Sequence, residues 1–223
     1  MIITIDGPVT SGKSSIARHL AQKLNFYYIN SGLLFRAFSY VLTERCLTPV
    51  ERLVTITREQ ILGCMRFSDF YYRYENNQEH ILYGSDNITW FLKNPEIDHA
   101  ASLAGTNPEI RELILPIERR LAEHHDVVVD GRDTGSVVFP QADLKIYLTA
   151  SLEVRAQRWQ KDQQVKGNNV SLEEALIEVN RRDERDKTRL IAPLIQPEDA
   201  VVIDSSDKTV EQVVDEIIVL LKR

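Results

Sequence analysis

The chain has 223 residues, 43% hydrophobic and 27% charged, with a formal net charge of −6 and two cysteines. A chain of this size can bury roughly 70% of its unfolded surface, so it needs no disulfide staple. The acidic balance argues against a broad nucleic-acid-binding surface, and neither a membrane-length apolar run nor a leader-like start is present. The expectation is a cytoplasmic protein without a nucleic-acid or membrane partner. Cys46 and Cys64 lack metal-like spacing and read as reduced thiols in or near the core.

Ile2, Ile3 and Ile5 form a short apolar run ending at Asp6, which reads as a buried strand. Gly7-Pro8-Val9-Thr10-Ser11-Gly12-Lys13-Ser14 then fits G-x-x-x-x-G-K-[ST], with Ser15 continuing into an amphipathic helix. Successive N–H groups of such a loop make a nest for phosphate oxygens. The helix N-terminus adds positive dipole and unpaired donors. Gly7 and Gly12 allow close backbone approach. Lys13 is placed to reach the β- and γ-phosphates and the Ser14 hydroxyl to ligate Mg²⁺. Binding of ATP or GTP follows from these residues alone.

Phe26–Ile29 reads as a second strand, with Ser31 as the cap of the helix after it. Arg36, one turn in, reads by itself as a solvated charge. Pro49 to about Cys64 fits one more helix. Tyr71 to Tyr83, around an Asn76-Asn77 turn, predicts a small antiparallel insertion whose tyrosines read as packing residues rather than a ligand platform. Asn107-Pro108 opens a longer helix carrying Arg111, which Pro116 is expected to kink or divide. His124-His125 reads as a helix end rather than a metal pair.

Val127-Val128-Val129-Asp130 is a third strand ending in a carboxylate, as in Walker B, where the Asp orients Mg²⁺ or its water ligands. Arg132 and Asp133 follow at the strand edge where open α/β sheets bind ligands. Leu144–Leu148 is strand four. Arg155, Arg158 and Lys161 fall on one side of the next helix. Ser171-Leu172-Glu173-Glu174 is a capping box opening a helix on which Arg182, Arg185 and Arg189 share a face. That run could be a salt-bridged surface, but a second basic cluster beside a phosphate loop favours function. Ala200–Asp204 is strand five, and Thr209 to Leu221 closes the chain as an amphipathic helix.

The whole length resembles the bacterial-type cytidylate kinase family of nucleoside monophosphate kinases. The segments that carry the resemblance are GPVTSGKSS, INSGLLFRA, NPEIREL, DGRDTGSVVFP, RRDERDKTR and APLIQPEDAVVIDSS. It implies transfer of the γ-phosphoryl group of ATP, with Mg²⁺, to CMP or dCMP; a monomer is the expected state. It implies that Ser31, Arg36, Ser102, Arg111, Arg132, Asp133, Arg182, Asp186 and Arg189 hold the monophosphate. Lys13, Arg132, Arg158 and Arg185 act on the transferring group, Ser14 and Asp130 hold the metal, and Arg155, Arg158 and Lys161 belong to a lid over ATP. Asp204–Lys208 resemble the loop beside adenine. Asn30, Leu33-Leu34-Phe35, Lys93 and Trp159 depart from the commoner family residues. A kinase for another monophosphate such as UMP, or a non-catalytic nucleotide sensor, are the alternatives.

The expected fold is a P-loop α/β core, a five-stranded parallel sheet with helices on both faces. Strand order 2-3-1-4-5 comes from the resemblance. The core takes residues 1–30, 106–151 and 190–223. A monophosphate-binding region takes 31–105, with its β-rich insertion at about 64–94, and the lid and basic helix take 152–189.

Overall fold

β1 (Ile2–Asp6) is apolar and buried, as a central parallel strand covered on both faces has to be. In the computed structural model, which describes residues 1–222, it leads through a loop into α1 (Lys13–Leu24). β2 (Tyr27–Asn30) and α2 (Ser31–Tyr40) follow. The cap of α2 is Asn30 rather than Ser31: the Asn30 side-chain oxygen accepts from the Leu33 N–H at 2.9 Å. A π-helical turn, Val41–Arg45, extends α2.

The stretch read as one helix from Pro49 to Cys64 is two pieces. Val50–Val54 is a 3₁₀ turn, and α3 (Arg58–Cys64) starts afresh from Thr57, whose capping box with Gln60 satisfies the new helix's first donors. β3 (Phe70–Glu75), β4 (Gln78–Tyr83) and β5 (Asp86–Asn87) form the expected antiparallel insertion. Asn76 and Asn77 both take positive φ, as the tight hairpin turn requires.

α4 (Pro95–Ala104) and α5 (Pro108–Ala122) each open with an Asn cap and a first-turn proline. α5 is not divided at Pro116, division being the second of the two outcomes expected there. Buried Ile110, Leu113 and Ile114 hold the helix across the one missing donor, since packing supplies most helical stability.

β6 (Val127–Gly131), β7 (Leu144–Thr149), α6 (Leu152–Val165), α7 (Leu172–Thr188), β8 (Val201–Asp204) and α8 (Val210–Leu221) complete the chain. The main sheet has the order β2-β6-β1-β7-β8, the 2-3-1-4-5 arrangement of its five strands. The β1–β6, β1–β7 and β7–β8 pairings are parallel, with Ile5 opposite both Asp130 and Ile146.

The chain divides into two compact units. One is Met1–Phe26 with the chain from Asp126 onward; the other is Tyr27–His125. In the first, Ile3, Ile5, Val128, Ile146 and Leu148 form the sheet core, and α1 packs against α8 through a face that includes Val213, Val214 and Ile217. In the second, α2 packs on α4, and the Phe38 ring lies 5.4 Å from Phe67 and 4.8 Å from Phe70. No helix among the described residues is long and apolar enough to cross a membrane.

Candidate active site

The first unit holds the loop between β1 and α1. A Cβ on Gly7 would sit 2.0 Å from the Leu148 carbonyl oxygen, so only glycine fits there. Gly12, at φ 96°, turns the chain into α1. Thr10 takes φ 55°, a left-handed conformation that costs a β-branched residue about 1–3 kcal/mol. Its Oγ1 lies 2.8 Å from the Val9 carbonyl oxygen and 2.9 Å from that of Arg155.

Lys13 is buried and donates to the Pro8 carbonyl at 2.6 Å. Burial, reinforced by the Arg132 cation, holds its ammonium well below the usual lysine range; Asp130, Asp186 and Asp6 oppose the shift. The Ser14 hydroxyl donates to Asp130 at 2.8 Å, so the end of β6 and the start of α1 present a hydroxyl and a carboxylate side by side. Ser15 is exposed one residue on. Asp6 accepts from the Thr134 N–H at 2.9 Å and the Gly135 N–H at 2.7 Å, which fixes the turn after Asp133.

Two ion pairs tie that turn to the end of α7. Arg132 Nε donates to Asp186 at 2.7 Å, and Arg189 Nη2 donates to Asp133 at 2.9 Å. Burial, the largest single influence, would lower the Arg132 pKa, but the charge and hydrogen bond of Asp186, together with the Asp130 and Asp183 charges, raise it. Burial likewise works against Asp186, which Arg132, Arg189 and Arg182 nonetheless hold below the usual carboxylate value. Arg182 and Arg185 lie on α7, but Arg189 does not: it follows the last helical residue in an extended conformation, φ −61° and ψ 140°. The three arginines therefore do not share one helix face. Leaving the helix lets Arg189 donate to the Ala192 carbonyl at 2.6 Å as well as to Asp133.

The α6 cations also differ among themselves. Arg158 donates to the carbonyls of Ser11 at 3.2 Å and Ser205 at 2.7 Å, while Lys161 is exposed. Arg155 is buried, paired with Asp183, and donates to the Val9 carbonyl at 3.2 Å; Asp183 accepts the Val9 N–H at 3.0 Å. Sequence reasoning missed Asp183, because nothing local links it to a residue 174 positions away.

The second unit carries the other expected site residues. Ser31 opens α2 and is buried. Arg36 donates to Asp98 at 2.5 Å, and Ser102 lies one turn beyond Asp98 on α4. Arg111 donates to the Gly105 carbonyl at 3.3 Å, with its guanidinium 5.3 Å from the Phe35 ring centroid. The Tyr72 hydroxyl accepts the Asn30 N–H at 3.0 Å and donates to the Tyr28 carbonyl at 3.0 Å, pinning β2 where α2 begins.

A glycine-hinged loop between a central parallel strand and a helix, with a buried lysine and a Ser–Asp pair at its mouth, defines a P-loop phosphotransferase. A family model described as cytidylate kinase matches residues 3–223. The chain belongs to the cytidylate kinase family. The cytidylate kinase of Thermotoga petrophila is 38% identical over 220 residues, covering 99% of this chain and 96% of its own. That of Lactococcus lactis subsp. lactis (strain IL1403) is 35% identical over 212 residues, covering 95% and 93%. A solved structure of an uncharacterized protein from Eubacterium ventriosum, 12% identical, superposes with a TM-score of 0.58 over 100% of this chain and 98% of its own; that likeness bears on the fold alone.

Proposed function

We propose that this enzyme transfers the γ-phosphoryl group of ATP to CMP or dCMP, giving ADP and CDP or dCDP. The observation that carries the reading is the Gly7–Ser15 loop with Lys13 inside it, within a chain whose family membership spans nearly its whole length. The backbone amides after Thr10 cradle the donor phosphates, and Lys13 neutralises charge on the transferring group. The transfer is in-line, with catalysis by positioning and charge neutralisation rather than by a covalent intermediate.

Ser14 and Asp130 suit Mg²⁺, a hard cation that takes one or two protein oxygens and completes its shell with phosphate oxygens and water. When bound, the ion neutralises phosphate charge.

Arg132, Arg182 and Arg189 bind the acceptor phosphate in this reading, and the family resemblance gives Arg36 and Arg111 the same role. Ser31, Ser102, Asp133 and Asp186 read the base and sugar. Arg158 and Arg185 meet charge that develops in transfer. The pairs Arg132–Asp186 and Arg189–Asp133 keep these cations ordered before substrate arrives, so less ordering is needed on binding. A monomeric, cytoplasmic setting belongs to the same proposal, and the net charge of −6 supports the absence of a nucleic-acid partner.

The test is product identity. ATP·Mg²⁺ and CMP incubated with the protein are expected to yield CDP and ADP in equal amounts, read by anion-exchange chromatography. ADP with inorganic phosphate and no CDP would refute transfer.

A further inference from the structure

We infer that Arg155 and Asp183 are positioning residues that set the P-loop for nucleotide, rather than lid residues above it. Both are buried, and their charges face each other across the packed α6 and α7 helices. A buried ion pair is weak evidence of stabilisation, since apolar residues of similar size often replace one at no cost. Packing two helices together therefore does not by itself explain these charges.

The loop does. Asp183 takes the N–H of Val9, and Arg155 donates to the carbonyl oxygen of the same residue. Val9 is buried, so both of its backbone groups need a partner. Arg155 Nε also donates to the Ala150 carbonyl at 3.0 Å, which anchors the guanidinium at the end of β7. One residue beyond this grip is Thr10, left-handed at φ 55°. A phosphate nest needs backbone that alternates between right- and left-handed residues. Thr10 supplies the left-handed one in a residue type that resists it, and such backbone persists only where its surroundings over-determine it. The contact between Thr10 Oγ1 and the Arg155 carbonyl completes the grip. Arg155 and Asp183 thus hold Val9 from both sides while the next residue stays in the strained conformation that aims the following amides.

The same contacts exclude the Val9 N–H from the phosphate nest, because it points to Asp183. Asp183 also stands one turn before Asp186, the partner of Arg132. The donor loop and the acceptor arginine thus take separate carboxylates of α7, Asp183 for Val9 and Asp186 for Arg132.

The inference rests on the proposed reading, and the experiment separates the two. ADP and CMP binding to the free enzyme are measured by titration calorimetry, with thermal unfolding alongside. The Arg155→Met/Asp183→Leu variant removes both charges together. It is expected to fold, to bind ADP at least tenfold more weakly, and to bind CMP within twofold of wild type. Adding Thr10→Gly, which removes the left-handed penalty, is expected to recover ADP affinity at least threefold. Arg155→Lys keeps a charge for Asp183 but lacks the guanidinium fork that spans Ala150, Asp183 and Val9. It gives a second route if the double variant fails to fold, with several-fold weaker ADP binding expected.

A folded variant that binds ADP within twofold of wild type would overturn the inference. So would equal losses for ADP and CMP, or no recovery with Thr10→Gly. Wild-type protein that binds no ADP would instead overturn the functional reading.

Discussion

Lys13 donates to the carbonyl of Pro8, 2.6 Å away, so the P-loop lysine lies folded across its own loop. In Lys13→Ala the transferring group loses its cation, and turnover is expected to fall about 10²- to 10³-fold or more. Thermal unfolding should change little or rise, because burial of this amine disfavours its charged form. Steady-state rates and melting curves on the same preparation check both, and near-normal turnover in folded protein would remove Lys13 from the mechanism.

The depressed Lys13 pKa carries a sign. In the free protein burial favours neutral lysine, whereas bound phosphate favours the ammonium. Nucleotide binding should therefore take up protons, and affinity should weaken as pH rises through the free-state pKa. Stability runs the other way: unfolded Lys13 binds more protons than folded Lys13, so its share of stability rises with pH between the depressed value and the ordinary lysine value of 10.5. Calorimetry of ADP binding in two buffers of different ionisation enthalpy, over a pH series, should show uptake in wild type and less in Lys13→Met.

Arg189 and Arg158 separate acceptor binding from transfer. An interaction made equally in ground and transition states changes KM, and one made only in the transition state changes kcat. Arg189→Ala is expected to raise KM for CMP roughly 10- to 150-fold, the worth of a charge-assisted contact of about 1.5–3 kcal/mol, with KM for ATP nearly constant. Arg158→Ala is expected to lower kcat, by about 10³-fold if it acts as an arginine finger. Initial rates with each substrate varied in turn give the pattern; identical behaviour of the two variants would contradict the separate roles.

The cysteines should differ in reactivity. Cys64 is exposed at the end of α3, whereas burial and the neighbouring Cys64 push the Cys46 thiol up to about 12. The thiolate is the nucleophile, so Cys46 should alkylate slowly near neutral pH and Cys64 faster. Timed iodoacetamide labelling with peptide mass mapping reads this directly, and equal rates would contradict it.

What the sequence makes legible here is what is local. The P-loop, the capping boxes, the Asn-Asn hairpin and the strand end at Asp6 are each set by residues within a few positions of one another. Pro116 does not divide α5, because packing of Leu113 and Ile114 outweighs one lost donor. Thr57 breaks the expected helix because its cap competes with continuation. Arg189 keeps helical spacing to Arg185, but the helix stops one residue short and a partner 56 positions away in Asp133 takes it. Arg155 reads as one of three similar cations on a face, and only tertiary structure distinguishes the buried one.

The most direct measurement is ADP formation with ATP·Mg²⁺ and, in parallel, CMP, dCMP, UMP, AMP, GMP and shikimate. The expected result is fastest turnover with CMP and dCMP, slower with UMP, and almost none with the purine nucleotides or shikimate. A preference for AMP or GMP over CMP, or equal ADP release with no acceptor, would contradict the cytidylate assignment.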